Sequence, residues 1–363
     1  MKRIEIAAVR LTAILLIFFS VAGIYLLWAK QGTGVMARQR AERESGSLMD
    51  YLKETDDRTE AVEKLHSLRL VLPVRHSSDS IKIIADNLYT GYTITIPDIS
   101  ASYFTDYPVS GNGAGIKDLT YEMDGDKGVL TLTTNQSLFL EKSVSGSYVF
   151  FDFKDIRDYF DKVVVIDAGH GGNDNGCMAD GVYEKDLTLS IVKKFKHLTD
   201  QNSVTEVKEY GSNITSMQID GIGKVGFFYT RLSDKKVYLR PRREMAEKLG
   251  ANLFLSVHIN STSSGRESSI NGGQVLYKAS DKTGESKKFA DIVMNQMAEK
   301  LGCRKRGTIA GDNIYIVRTA KMPVALAEIG FITNKTEREK LLSDDYQEKT
   351  AQALLDAVTE YLR

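Results

Sequence analysis

Strands alternating with amphipathic helices from residue 162 onward predict an α/β fold, a mainly parallel sheet flanked by helices. Two further patterns set apart what precedes it. Residues 11–29 form an apolar run without a charge, and residues 68–155 alternate apolar and polar with period two. The expected organisation is therefore a short N-terminal segment (1–10), a transmembrane helix (11–29), a polar stalk (30–67), a small β domain (68–155) and an α/β domain (161–363).

The run LTAILLIFFSVAGIYLLWA at 11–29 has 19 residues. At about 1.5 Å per residue it matches the ~30 Å hydrocarbon core of a bilayer. The apolar core of a cleaved signal peptide is usually only about 7–15 residues long. This run ends in bulky Leu26, Leu27 and Trp28, which favours an uncleaved anchor. Cleavage is the alternative and would release a secreted form. Lys2, Arg3 and Arg10 precede the run and Lys30, Arg38, Arg40 and Arg43 follow it, so charge leaves the orientation open. Residues 30–67 are polar and of mixed charge, and show no sustained heptad.

In the β domain Tyr92, Ile94 and Ile96 alternate with Thr93 and Thr95, and Leu130 and Leu132 with Thr131 and Thr133. Asp124-Gly125 predicts a tight turn between strands. Gly111, Gly113 and Gly115 mark a loop, without the strand-to-helix junction of a phosphate cradle. His76 reads as a surface residue, and the default role of the domain is binding or spacing.

The α/β domain opens on the strand KVVVIDAGH, which runs into a Gly-rich loop. A helix follows, with Leu187, Ile191, Val192, Phe195 and Leu198 on one face. A second helix runs from Pro241 to Gly250, directly before the strand ANLFLSVHI. GGQVLY and NIYIV read as strands; Phe289, Ile292, Val293, Met297 and Leu301 outline another helix; VALAEIGF is a last buried strand before a C-terminal helix. The connection from Leu198 to Thr230, with Gly211, Gly221, Gly223 and Gly226, reads as an extra hairpin or loop.

Composition narrows the function classes. The 363 residues hold 48 Lys+Arg and 48 Asp+Glu, with 42% apolar and 26% charged residues. These are globular proportions, and a neutral balance speaks against a basic nucleic-acid-coating protein. The neutrality is a sum of unlike parts: 18 basic and 21 acidic groups in 1–160, 30 and 27 in 161–363. The surplus in the second part includes the run Arg304-Lys305-Arg306. Cys177 and Cys303 allow at most one disulfide.

Three polar residues interrupt apolar strand patterns near strand ends, where sites assemble in open α/β sheets: His170, His258 and Glu328. A fourth, Glu184, opens the first helix. Two His and one Glu with an open position are a common ligand set for catalytic zinc. Gly169, Gly171 and Gly172 would let the backbone turn sharply beside an ion, and Asp167 could orient a ligand ring. Taken singly, a His at a strand end more often reads as a satisfied core or surface histidine. Placement at shared strand ends is what points to a metal.

The segments VVVIDAGHGGNDNG, YEKDLTLSI, YTRLSD, LRPRREMAEKLGANLFLSVHIN and ALAEIGFITN, in that order, resemble the zinc-dependent N-acetylmuramoyl-L-alanine amidases of the type-3 cell-wall family. The resemblance covers 161–363. It implies one Zn²⁺ held by His170, Glu184 and His258, with Glu328 as the catalytic carboxylate. It also implies peptidoglycan as substrate, hydrolysed between N-acetylmuramic acid and L-alanine. The α/β domain would then lie outside the cytoplasmic membrane of a bacterium, tethered by residues 11–29. Asn260, Arg231, Arg240 and Arg243 are candidates for positioning sugar, lactyl or peptide groups, and Arg231 and Arg243 equally fit a bracing role. Ala168 stands where the family usually has Pro. The stretches after His258 and Tyr277 lack room for the inserted autoinhibitory helix of some members. Cys177 is a competing ligand candidate, and His197 reads as solvated. The ligand types alone also allow a zinc peptidase acting on wall peptides, and a silent wall-binding or activator protein is a third reading.

Overall fold

The computed structural model describes residues 66–72, 77–201 and 213–363. The expected membrane span at 11–29, all of the stalk but its last two residues, His76, and residues 202–212 of the long connection lie outside the described residues. Among the described residues no helix is long and apolar enough to cross a membrane.

The first part contains β1 (Leu68–Val71), β2 (Lys82–Ala85), β3 (Gly91–Ile96), helix α1 (Tyr103–Asp106), β4 (Ile116–Asp124), β5 (Lys127–Thr134), β6 (Leu138–Ser145), β7 (Tyr148–Asp155) and helix α2 (Ile156–Tyr159). The strands form two antiparallel sheets, in the orders β2-β3-β5-β4 and β1-β7-β6. Alternation works as the sequence predicts: Tyr92, Ile94, Ile96, Leu130 and Leu132 are buried. Asp124 pairs with Lys127, which leaves Gly125 and Asp126 as a two-residue turn, with Gly125 at φ +66°. Gly111, Gly113 and Gly115 lie in the loop between α1 and β4.

The second part runs β8 (Lys162–Ala168), β9 (Met178–Ala179), β10 (Val182–Tyr183), α3 (Glu184–Gln201), β11 (Ile214–Ile219), β12 (Gly223–Tyr229), α4 (Leu239–Lys248), β13 (Leu253–Asn260), β14 (Gly273–Tyr277), α5 (Glu285–Leu301), β15 (Lys305–Ala310), α6 (Tyr315–Thr319), β16 (Val324–Phe331), α7 (Lys335–Leu342) and α8 (Asp344–Leu362). Seven strands make one sheet in the order β11-β12-β8-β13-β16-β14-β15. The four central strands β12, β8, β13 and β16 are mutually parallel. Strand β14 runs antiparallel to β16, and β15 parallel to β14.

Val163, Val164, Val165 and Ile166 of β8 are all buried, as a central parallel strand covered on both faces requires. Their alternate side chains enter two cores. Val164, Ile166, Leu255, Val257, Ala325 and Ala327 meet α3, α5 and α8 through Leu187, Ile191, Phe195, Phe289, Val293, Leu354 and Val358. Val163, Val165, Phe254, Val324 and Leu326 face the other way, toward Met245 and Ala246 of α4 and Ile316 and Val317 of α6. That second core continues into the first part of the chain, where Tyr89 packs edge-on against Phe228, ring centroids 5.1 Å apart.

Two expectations change. NIYIV is not a strand: Tyr315–Thr319 is helical, with Ile316 and Val317 buried on one side. A short apolar run has no periodicity that separates strand from helix. The strand is instead Lys305–Ala310, a polar, largely exposed sheet edge that carries Lys305 and Arg306, as edge strands commonly do. The expected extra hairpin is present as β11–β12, but β12 also pairs with β8, so it belongs to the main sheet.

Candidate metal centre

Strand β8 stops at Ala168, and the chain turns through Gly169, His170, Gly171 and Gly172. His170 has φ +59°, a left-handed conformation that an L-residue with a side chain adopts at a cost. Buried cations hold the turn. Arg231 donates to the Ala168 carbonyl at 2.9 Å and to the Gly169 carbonyl at 2.6 Å, and Arg242 to the Ala168 and His170 carbonyls, both at 2.6 Å. Thr188 of α3 donates to the Gly169 carbonyl at 2.9 Å.

This fixed turn brings His170 against Glu184, the first residue of α3, and His258 of β13. His170 Nε2 lies 3.2 Å from Glu184 Oε2, and His258 Nδ1 lies 2.9 Å from Glu184 Oε1. One donor atom from each of the three residues lies within 4.8 Å of the others. For a tetrahedrally held ion with bonds of about 2.0–2.2 Å, ligand atoms sit roughly 3.3 Å apart, so this set fits a divalent metal. Asp174 Oδ1 lies 2.9 Å from His170 Nδ1 and leaves Nε2 as the inward-facing nitrogen. Backbone N–H groups of Cys177 (2.8 Å) and Ile259 (3.0 Å) donate to the Glu184 carboxylate. Burial disfavours ionisation of Glu184, but hydrogen bonds from His170 and His258 outweigh it and hold the carboxyl well below the usual range.

Two glycines make the room. A Cβ at Gly169 would stand 2.4 Å from Cε1 of His258, and one at Gly176 would stand 2.4 Å from Oε2 of Glu184. Gly169→Ala is therefore expected to displace the His258 ring and to cut metal affinity at least about tenfold, the scale of losing ligand orientation. A chelator competition titration against the parent protein measures this.

Glu328 of β16 stands beside His258 of β13 in register. The residue is half-buried, but its Oε2 is shut off from solvent and has no hydrogen-bond partner among the described residues. Burial pushes its pKa up to about 7, with the neighbouring histidines opposing and Glu184 adding to the rise. A desolvated carboxyl pushed up toward neutrality beside charged neighbours is a feature of functional sites.

The remaining sequence candidates fall elsewhere. Asp167 orients no ligand ring: it is fully buried and accepts from Thr230 Oγ1 (2.6 Å), Ser256 Oγ (2.7 Å) and Arg242 Nη1 (2.5 Å). Asp174 holds the ring instead. Arg231 is buried under the turn and out of reach of a substrate. Arg243 pairs with Glu247 at 3.1 Å, and exposed Arg240 with Glu244 at 2.6 Å. Half-buried Asn260 ends β13, where its Oδ1 accepts from the Ser261 N–H. Cys177 Sγ lies 3.0 Å from the Ile259 carbonyl, and burial raises its pKa far above a useful thiolate range. Both cysteines are free.

Sequence reasoning missed Asp174 and Arg242. Arg242 had a signal, because it shares the helical stripe of Met245, Ala246 and Leu249 and occupies a core-facing position. Its ion pair with Asp167 is buried on both sides, at 3% and 0% exposure. Arg242→Ala leaves the Asp167 carboxylate uncompensated and is expected to cost about 3–5 kcal/mol, read as a lowered midpoint in denaturant unfolding.

The model of the N-acetylmuramoyl-L-alanine amidase family matches residues 164–218 and 215–360, and the chain belongs to that family. It is 35% identical over 204 residues to the uncharacterized protein YqiI of Bacillus subtilis (strain 168), covering 55% of this chain and 84% of YqiI. It is 31% identical over 202 residues to the N-acetylmuramoyl-L-alanine amidase LytC of the same organism, covering 56% of this chain and 36% of LytC. Among solved structures, the catalytic domain of CwlV, an N-acetylmuramoyl-L-alanine amidase from Bacillus (Paenibacillus) polymyxa var. colistinus, is 33% identical with a TM-score of 0.46, covering 55% of this chain and 98% of that one.

Proposed function

We propose that the chain is a peptidoglycan hydrolase that cleaves the amide between the lactyl group of N-acetylmuramic acid and L-alanine, with one Zn²⁺ held by His170, Glu184 and His258. The observation that carries the reading is Glu328, whose Oε2 is buried with no hydrogen-bond partner among the described residues, in register with His258 of the proposed ligand set. Two imidazoles and a carboxylate suit zinc. Zinc in such a set supplies Lewis acidity and lowers the pKa of water to about 7.

The chain's own residues do the rest. Glu328 takes a proton from the attacking water as the water oxygen bonds to the lactyl carbonyl carbon. It then returns that proton to the nitrogen as the C–N bond breaks, releasing the stem peptide with a free L-alanine amine. Arg231 and Arg242 keep the His170 turn rigid, so the ligands need little rearrangement. A peptidoglycan substrate places residues 161–363 on the outer side of the bacterial membrane, with residues 11–29 as tether or as export signal.

The test is product analysis of purified sacculi digested by the full chain. A new N-terminal L-alanine, with the glycan strands intact, supports the reading. New amino groups on other wall residues would instead define a peptidase.

A further inference from the structure

We propose that Gln274 is a substrate-positioning residue that reads the leaving side of the scissile bond, the stem peptide beyond L-alanine; this rests on the function proposed above. The sheet register carries the argument. His258 of β13 pairs with Glu328 of β16, and Glu328 pairs with Gln274 of β14. Residues paired across neighbouring strands project to the same face. The face is fixed by the positions two residues away, because Leu326 and Leu276 both enter the core beneath α4 and α6. His258, Glu328 and Gln274 thus form one row at strand spacing, roughly 5 Å per step.

Order along the row assigns the role. The metal ligands lie on one side of Glu328 and Gln274 lies on the other. The scissile carbonyl belongs on the ligand side, and the nitrogen that receives the proton belongs at Glu328. What hangs from that nitrogen then continues over β14. Gln274 is half-buried, and its carboxamide makes no hydrogen bond to any described residue. A carboxamide offers one acceptor and two donors, which match the alternating N–H and C=O groups of a peptide. The next strand, β15, is polar and largely exposed, and its pairing with β14 is interrupted at Gln274, between Gly273 and Val275.

The experiment compares the full chain with Gln274→Ala and with Gln274→Met, which keeps the volume and removes the amide. Steady-state kinetics on a purified disaccharide-tetrapeptide muropeptide are combined with inhibition by the free tetrapeptide and by peptide-free glycan. One lost hydrogen bond predicts a KM about fivefold higher in both variants. Inhibition by the free peptide weakens by the same factor, while kcat, zinc content and inhibition by glycan stay unchanged. Unchanged KM and peptide inhibition would overturn the assignment, as would weakened glycan inhibition instead. If the parent chain itself releases no L-alanine-terminated peptide, the proposed function falls as well. If it does and the variants match it, only Gln274 is removed from the site.

Discussion

Glu328→Gln is expected to lower kcat by about 10³-fold and to leave bound zinc unchanged, since general acid–base catalysis is typically worth 10²–10⁴. The same substitution is expected to stabilise the metal-free protein. The folded pKa of Glu328 is raised from 4.5 to about 7. A group raised in this way favours the folded state below its unfolded pKa, and that contribution is lost as pH rises through the folded value. Across this window the loss amounts to about 3 kcal/mol, at 1.36 kcal/mol per pKa unit. With chelator present, the variant should therefore match the parent near pH 4 and exceed it in unfolding free energy by about that amount at pH 8. Urea titrations at the two values measure it. Loss of activity with a gain in stability is the signature of a carboxyl kept in an unfavourable place for its chemistry. Retained turnover in a zinc-loaded Glu328→Gln protein would remove this residue from the mechanism.

The second large effect concerns Glu184. Its carboxylate meets both histidines and two backbone N–H groups. Glu184→Ala removes one of the three proposed ligands and orphans the buried N–H of Ile259, and the two histidines lose their shared partner. Zinc affinity is expected to fall by more than about 100-fold, beyond the 10- to 100-fold cost of losing an outer-sphere partner. Asp174→Ala, which removes only the hydrogen bond to His170 Nδ1, should fall within that smaller range. Metal analysis after dialysis against graded chelator ranks the two. Equal losses would mean that Glu184 acts as a spectator beside the metal.

Sequence pattern foretold the parts of the fold that rest on burial. β8, β13 and β16 are nearly continuous apolar runs because helices or packed side chains cover both faces. His258 and Glu328 were conspicuous because they interrupt those runs. The pattern failed where burial is shallow. At Lys305–Ala310 the edge strand has no apolar face to announce it, and at Tyr315–Thr319 two buried residues fit either period.

At the site, polar residue type within apolar strands singled out His170, His258 and Glu328, and the start of the first helix singled out Glu184. Their supports depend on contacts far apart in the chain. Asp167 and Arg242 are 75 residues apart in sequence and meet at 2.5 Å; the helical stripe marks Arg242 as core-facing, but only the packing of α4 against β8 shows which carboxylate it meets. The choice of Asp174 over Asp167 as the partner of His170 turns on the left-handed backbone of His170, which folds the following residues back over the ring. Gln274 became visible only through register, since its strand runs opposite to β16.

Metal-dependent cleavage at L-alanine is read from the chemistry of the amine released from purified peptidoglycan by the full chain, with zinc present and again after chelation. N-terminal L-alanine is expected as the new amine, its release abolished by chelator and restored by added zinc. Release of a different N-terminal residue, or undiminished release of L-alanine from protein shown to be free of metal, would contradict it.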